Sequence, residues 1–88
     1  MTFVMIRHRV EDYEKWRVVF DAHESTRTAF GIKEKYVWHT IDDKNEVTVL
    51  FEVADIEKSK EFLELPELKE AMQEAGVLTK LDIYFLEE

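Results

Sequence analysis

The sequence predicts an α+β domain in which a four-stranded antiparallel sheet carries helices on one face, in the order βαββαβ. Three observations predict this fold: strand-like alternation of apolar and polar residues, helical spacing of three and four residues, and glycines at the ends of the helical stretches. The 88 residues include two glycines and one proline, which leaves little room for long loops. No repeat, linker or low-complexity tract divides the chain, so residues 1–88 are expected to form a single domain.

The first strand and the first helix are predicted from residues 3–31. Alternation over Phe3–Val10 predicts a strand, and His8 shares its face with three apolar residues. Asp12 can accept hydrogen bonds from the free amides of a following helix turn, and Gly31 can take the left-handed conformation that ends a helix. One helix of about five turns is therefore predicted between them.

A stripe of aromatic and polar residues runs along this predicted helix. Steps of three and four residues place six side chains within an arc of roughly 100°, namely Tyr13, Trp16, Phe20, His23, Arg27 and Phe30. His23 and Arg27 are therefore expected on the buried side, among the rings.

A β-hairpin is predicted next. Regular alternation over residues 32–40 and over Glu46–Val53 predicts strands two and three, and the turn-forming residues 42–45 lie between them. Strand three is apolar on both faces, and Glu52 is its one acidic residue inside the strand. A buried carboxylate needs a partner, so we expect Arg27, Arg7 or a histidine beside Glu52.

The rest of the chain predicts a broken helical segment and a last strand. Asp55 can cap a first short helix, Pro66 suits the first turn of a second, and Gly76 ends it. Alternation over Leu81–Leu86 predicts the fourth strand. With right-handed connections this order gives the ferredoxin-like arrangement, with the helices on one face of the sheet. The other face is also apolar, so we expect a second copy of the chain to cover it in a homodimer.

Composition excludes several classes of protein. The formal net charge of −8, from 20 acidic and 12 basic residues, and the lack of a basic cluster disfavour binding to nucleic acid or to an anionic membrane. Without cysteine the chain has no disulfide or thiolate site. The apolar run at the N-terminus ends after six residues at Arg7, far short of a membrane span, so a cytoplasmic protein is expected.

Three segments resemble a known superfamily. RHRVEDYEKWRVVFDAH, VTVLFEVADIEKSKEFLELPELKEAMQEAGV and DIYFLEE are similar to small cyclase-like bacterial and archaeal proteins of the dimeric α/β-barrel superfamily. That superfamily includes antibiotic biosynthesis monooxygenases, polyketide cyclases and haem-degrading enzymes. The resemblance implies two sheets closing a barrel across a two-fold axis, and a pocket between sheet and helices in each subunit. Trp16, His23 and Arg27 are implied to line or border that pocket.

The chain departs from the enzymes of this superfamily at particular positions. Its one asparagine, Asn45, lies in the predicted hairpin turn, whereas the haem-degrading and anthrone-type enzymes rely on an asparagine in the site. Many monooxygenase relatives carry a histidine where this chain has Phe62. These departures disfavour haem and oxygen chemistry, and no cofactor is predicted.

The polar stripe has two interpretations, which the residues leave open. In the first, His23 is a general base toward a phenol or an enolisable carbonyl, and Arg27 stabilises the resulting oxyanion. The predicted ligand-binding residues around this catalytic pair are His8, Trp16, Phe20, Tyr36, Trp38 and Glu52. In the second, His23 bonds to a backbone carbonyl or to a carboxylate such as Glu52, and Arg27 is a core residue with its charge paired at the dimer rim.

The functional hypotheses follow from these interpretations. One is a cofactor-independent monooxygenase, cyclase or isomerase that acts on a flat aromatic or polyketide-like compound. Another is a non-catalytic ligand-binding or stress-related dimer. A metal site from His8, His23, His39 and Glu52 is chemically acceptable, but no pair has the short spacing of a metal motif, so no metal is predicted.

Overall fold

The structure, a computed structural model, describes residues 1–78 and 80–88 and confirms the α+β prediction. Its helices and strands are, in chain order, β1 (Thr2–Arg9), α1 (Tyr13–Ala22), α2 (Glu24–Ala29), β2 (Ile32–His39), β3 (Glu46–Val53), α3 (Ile56–Leu63), α4 (Pro66–Ala75) and β4 (Asp82–Glu87). Thr79, in the tail that leads into the predicted last strand, lies outside the described residues.

The strands form one antiparallel sheet in the order β2-β3-β1-β4. Alternate residues of β1 and β3 are buried, and these residues face the helices. His8 on β1 lies opposite Val47 on β3, and both are buried, so His8 belongs to the helix-facing side of the sheet. Periodicity alone had left this orientation open.

Strand β2 does not keep the regular alternation that the sequence predicts. Its register shifts between Glu34 and Tyr36, so a β-bulge lies at Lys35. One extra residue on one strand reverses the facing of every residue on one side of the bulge relative to simple alternation. As a result Ile32, before the bulge, faces the helices together with Val37 after it, although alternation placed them on opposite faces.

The predicted five-turn helix is interrupted, which corrects the sequence prediction. Asp12 caps α1 as expected, because its Oδ1 accepts hydrogen bonds from the amides of Glu14 and Lys15 at 3.0 and 3.4 Å. At His23 the backbone leaves the helical conformation (φ −98°, ψ 11°), and its amide donates to Phe20 O, three residues back. This tightened turn separates α1 from α2. Gly31 has the predicted left-handed conformation, with φ +72°.

The predicted start and end residues of the second helical segment are confirmed. Asp55 caps α3 by accepting from two backbone amides of the first turn. Pro66 is the first residue of α4, and Gly76 ends it at φ +80°. Of the helices in the described ranges, 1–78 and 80–88, none has the length and apolar character needed to cross a lipid bilayer.

The helices cover one face of the sheet and leave the other face exposed. The helix-facing side forms the core, where Val47, Val49 and Val10 are almost completely buried. On the opposite side, Tyr36 and Trp38 stack in parallel at 4.9 Å, and both side chains are exposed. Tyr84 and Leu86 of β4 are exposed on the same side, opposite Met5 and Phe3 of β1. We call this opposite side, with these six residues and Leu50, the open face.

Candidate functional site

A cavity of about 80 Å³ lies between the helix-facing side of the sheet and the helices. Its polar lining residues are His8 from β1, His23 from the turn between α1 and α2, and Arg27 from α2. The other lining residues are apolar: Ile6, Trp16, Val19, Phe20, Val49, Phe51, Phe62, Leu63, Leu68, Ala71, Met72, Ala75 and Leu81. Two imidazoles and a guanidinium therefore border a largely apolar space.

One wall of the cavity is a ladder of rings, which we call the aromatic ladder. His8 packs on Trp16 at 5.5 Å between ring centroids, Trp16 stacks on Phe20 at 4.7 Å, and Phe20 lies 6.1 Å from Phe51. Trp16 and Phe20 are four residues apart on α1, which places their side chains on the same face of the helix. The near-parallel pair offers a flat apolar surface of the kind that packs well on a planar ligand.

Arg27 is a buried cation at the end of this ladder. The residue is 4% exposed, and its guanidinium carbon lies 3.9 Å from the centroid of the Phe20 ring. Its Nη1 donates to Phe20 O at 2.7 Å. Burial lowers the pKa of Arg27, and the negative charges of Glu34, Glu24 and Asp21 offset that effect only in part.

His23 is held by a main-chain carbonyl. The distance from its Nδ1 to Val19 O is 2.9 Å, and a carbonyl oxygen only accepts, so Nδ1 is the donor. In the neutral ring this assigns the lone pair to Nε2. Nε2 has no partner among the described residues, and the side chain borders the cavity. His23 can therefore accept a proton from a molecule bound there.

His8 contributes a neutral imidazole. The residue is 7% exposed, and within residues 1–78 and 80–88 its shielded Nδ1 has no hydrogen-bond partner. Burial lowers the pKa of His8 from 6.5 to about 4, against a smaller opposing effect of Glu46. At neutral pH the ring is uncharged and is a poor proton acceptor, but it can still take part in hydrogen bonds.

The cavity brings together five of the predicted site residues and leaves out three. His8, Trp16, Phe20, His23 and Arg27 line it. Tyr36, Trp38 and Glu52 point to the open face, on the far side of the sheet. For Glu52 the expected partner was wrong: its Oε1 lies 3.6 Å from Lys35 Nζ, and no salt bridge joins it to Arg27, Arg7 or a histidine among the described residues. The roles of these eight residues in binding and catalysis stay predictions.

Sequence reasoning missed most of the apolar lining. Val49 and Phe51 alternate on β3, and Leu68, Ala71, Met72 and Ala75 follow helical spacing on α4. That periodicity identifies the buried side of an element but does not tell a packed position from one that borders a cavity. Phe62 was noted as a departure from the monooxygenases, and it lines the cavity and packs on Phe30 at 5.6 Å.

The proposed metal ligands do not converge. Across residues 1–78 and 80–88, no group of three or more histidine or acidic side chains is placed to hold a metal ion. His39 packs edge-on against Tyr13 at 5.2 Å, away from His23, and Glu52 lies on the open face.

Comparison with known proteins identifies the fold. No protein-family model and no curated protein matches the chain. Solved structures do match. A provisionally named antibiotic biosynthesis monooxygenase from Bordetella bronchiseptica has a TM-score of 0.79 at 7% identity, over 99% of this chain and 96% of that chain. One from Caulobacter crescentus has 0.76 at 15% identity, over 99% and 88%, and one from Nitrosomonas europaea has 0.73 at 10% identity, over 100% and 98%. The chain therefore has the ferredoxin-like fold of the antibiotic biosynthesis monooxygenase-like proteins, as its sequence resemblance implied.

Proposed function

We propose that the protein binds a small organic molecule in the cavity between sheet and helices, and that it moves a proton on that molecule without a cofactor. The observation that carries this proposal is the convergence of a histidine lone pair and a buried guanidinium on one apolar cavity. Within the described residues, the shielded His8 Nδ1 of the same cavity lacks a hydrogen-bond partner, and an unpartnered buried polar atom beside open space indicates a ligand site.

The volume of the cavity limits what it encloses. Since a dry cavity of about 150 Å³ is known to hold benzene, 80 Å³ encloses a few non-hydrogen atoms. The cavity is half-open, so a ligand can extend beyond the enclosed part. A small flat compound, or the flat end of a larger one, fits against the aromatic ladder. A compound with several fused rings exceeds the enclosed volume.

The chemistry follows from the two polar groups. His23 Nε2 accepts a proton from a hydroxyl group or from a carbon next to a carbonyl, and Arg27 stabilises the negative charge that remains. Loss of such a proton is the shared first step of a cyclase, an isomerase and a cofactor-free monooxygenase. Trp16 and Phe20 orient the flat substrate over this pair.

Exchange of a substrate proton for deuterium tests the proposal directly. Cyclopentanone, a small flat ketone, is incubated with the protein in D2O, and exchange at the carbons beside its carbonyl is followed by NMR. We expect the native protein and the control variant His39→Ala to accelerate exchange, and His23→Ala to lose that acceleration while keeping its circular dichroism spectrum. Absence of binding at millimolar ketone would refute the proposal.

A non-catalytic binding protein is the second candidate. Both polar side chains donate to main-chain oxygens, His23 to Val19 O and Arg27 to Phe20 O. This favours the second candidate, because such bonds also give a residue a purely structural role. In the exchange experiment this function gives chemical-shift changes on ketone binding with no exchange above the buffer rate.

We further propose that a second copy of the chain covers the open face. Several large apolar side chains are exposed there together, among them Tyr36 (54%) and Trp38 (44%), and contiguous exposed apolar surface marks association sites. Trp38→Glu is expected to convert a dimer to a monomer in sedimentation experiments. Ile41→Glu, which changes a fully exposed residue in the β2–β3 turn, is the control and is expected to stay dimeric. A monomeric native protein would contradict this proposal.

A further inference from the structure

Arg27 has more hydrogen-bond donors than partners. A guanidinium carries five N–H groups, and within the described residues one bond is made, from Nη1 to Phe20 O. Of the described side-chain nitrogen and oxygen atoms that are shielded from solvent, His8 Nδ1 is the one without a partner. The unpartnered nitrogens of Arg27 therefore border open space instead of packed protein.

The positive charge of Arg27 also lacks a close counter-ion. Only 4% of the residue is exposed. In the described part of the chain, however, no carboxylate oxygen lies within 4 Å of the guanidinium. Surrounding acidic residues act on it from a longer distance and do not balance the loss of solvation, since the pKa of Arg27 is still lowered. A buried charge of this kind is stabilised by an anion brought to it.

The surroundings indicate the side from which the anion binds. Arg27 borders two spaces: the apolar cavity, and an outer groove of about 490 Å³. The groove is lined by Glu24, Glu34 and Glu52 against Lys33, so an anion there meets like charge. The cavity side carries no acidic residue in its described lining, and His8 adds no second positive charge at neutral pH. A monoanion on the cavity side matches this arrangement.

A carboxylate fits this position. Its two oxygens match the planar fork of a guanidinium, and it is small and flat enough for a cavity of about 80 Å³ that runs along the stacked rings of Trp16 and Phe20. We infer that the ligand is a small, flat carboxylate whose charged end pairs with Arg27 on the cavity side. This inference rests on the proposed function, in which the same guanidinium also stabilises the negative charge left by proton removal.

A matched pair of probes tests the inference. Crotonate and crotonamide have the same shape and the same number of non-hydrogen atoms, and they differ in charge. Binding of each is measured at neutral pH by calorimetry and by chemical-shift changes. We expect crotonate to bind the native protein at least about tenfold more tightly than crotonamide, because only the carboxylate forms a charge-assisted pair with two hydrogen bonds to the guanidinium.

Variants separate the charge of Arg27 from its packing. Arg27→Met keeps a long apolar side chain and is expected to abolish the preference for crotonate. Arg27→Lys keeps the positive charge but not the planar fork, so it is expected to retain part of the preference for crotonate. It also tests the role of the charge if Arg27→Met folds poorly. Melting curves of both variants show whether the fold is intact.

Each outcome is decisive. Equal binding of the two probes, tighter binding of crotonamide, or a preference that persists in Arg27→Met overturns the inference. If neither probe binds, the inference is also overturned, and cyclopentanone then distinguishes the two proposals. Binding of this neutral ketone leaves the proposed function standing, whereas its failure to bind refutes that function as well.

Discussion

Acid is expected to destabilise the protein through His8. The unfolded chain binds a proton on this residue near pH 6.5, but the folded protein does so only near pH 4, because burial lowers the pKa. Between these values the unfolded state binds more protons, so stability falls as the pH falls. At about 1.4 kcal/mol for each pKa unit, the full loss is about 3 kcal/mol, a large part of the 5–15 kcal/mol typical of a domain.

Urea denaturation at a series of pH values measures this loss. Because other groups titrate as well, the informative quantity is the difference in free energy of unfolding between the native protein and His8→Phe. Phenylalanine keeps a ring against Trp16, where His8 packs at 5.5 Å, but does not titrate. From about pH 7 to about pH 4 the native protein is expected to lose about 3 kcal/mol more than the variant.

A second histidine supplies the control for this prediction. His39→Phe removes an exposed histidine ring that packs on Tyr13, and no ring contact joins His39 to His8 among the described residues. Because this variant keeps His8, its free energy of unfolding is expected to fall between about pH 7 and about pH 4 as that of the native protein does. Parallel profiles for the native protein and His8→Phe would show that burial does not hold His8 neutral, and would refute the argument.

Substitutions at three further positions test the local structure. Asp55→Ala removes the acceptor for two amides of α3 and is expected to cost about 1 kcal/mol in urea denaturation, whereas Asp55→Asn keeps an acceptor and most of the stability. Asn45→Ala removes the bond from the Tyr13 amide to Asn45 Oδ1 (2.9 Å), so hydrogen exchange at that amide should become faster, and unchanged exchange would contradict the role. Gly76→Ala places a side chain at φ +80°, with its Cβ 3.1 Å from Glu11 Cβ, and is expected to lower the melting temperature; an unchanged melting temperature would show that the strain is absent.

The elements of the fold could be predicted because their signals are local. Asp12 and Asp55 each accept hydrogen bonds from amides within the next three residues, and Gly31 and Gly76 take the backbone conformation that other residues avoid. The bulge at Lys35 has no such signal, because it depends on how β2 pairs with β3 and not on the residues of β2 alone. Regular alternation therefore assigned the wrong face to one end of β2.

Most of the correctly predicted candidate site lies in one segment of the chain. Trp16, Phe20, His23 and Arg27 lie on α1, on α2 and in the turn between them, so their spacing was sufficient to group them. Tyr36 and Trp38 resemble pocket residues by type, but the pairing of Trp38 with Thr48 on β3 places them on the open face. Which face of a strand meets the helices is decided by the whole sheet, and aromatic residues suit either face.

The break at His23 shows how a departure from periodicity builds the site. In a continuous helix, residues 20 and 27 lie about two turns, or roughly 10 Å, apart along the axis. Here the chain tightens at His23, and the carbonyl of Phe20 accepts both the His23 amide at 3.2 Å and Arg27 Nη1 at 2.7 Å. The same turn lets His23 Nδ1 donate to Val19 O while the side chain borders the cavity. Both polar groups are thus held by main-chain oxygens before any ligand arrives, so the proposed anion binding and proton transfer require no rearrangement of their side chains.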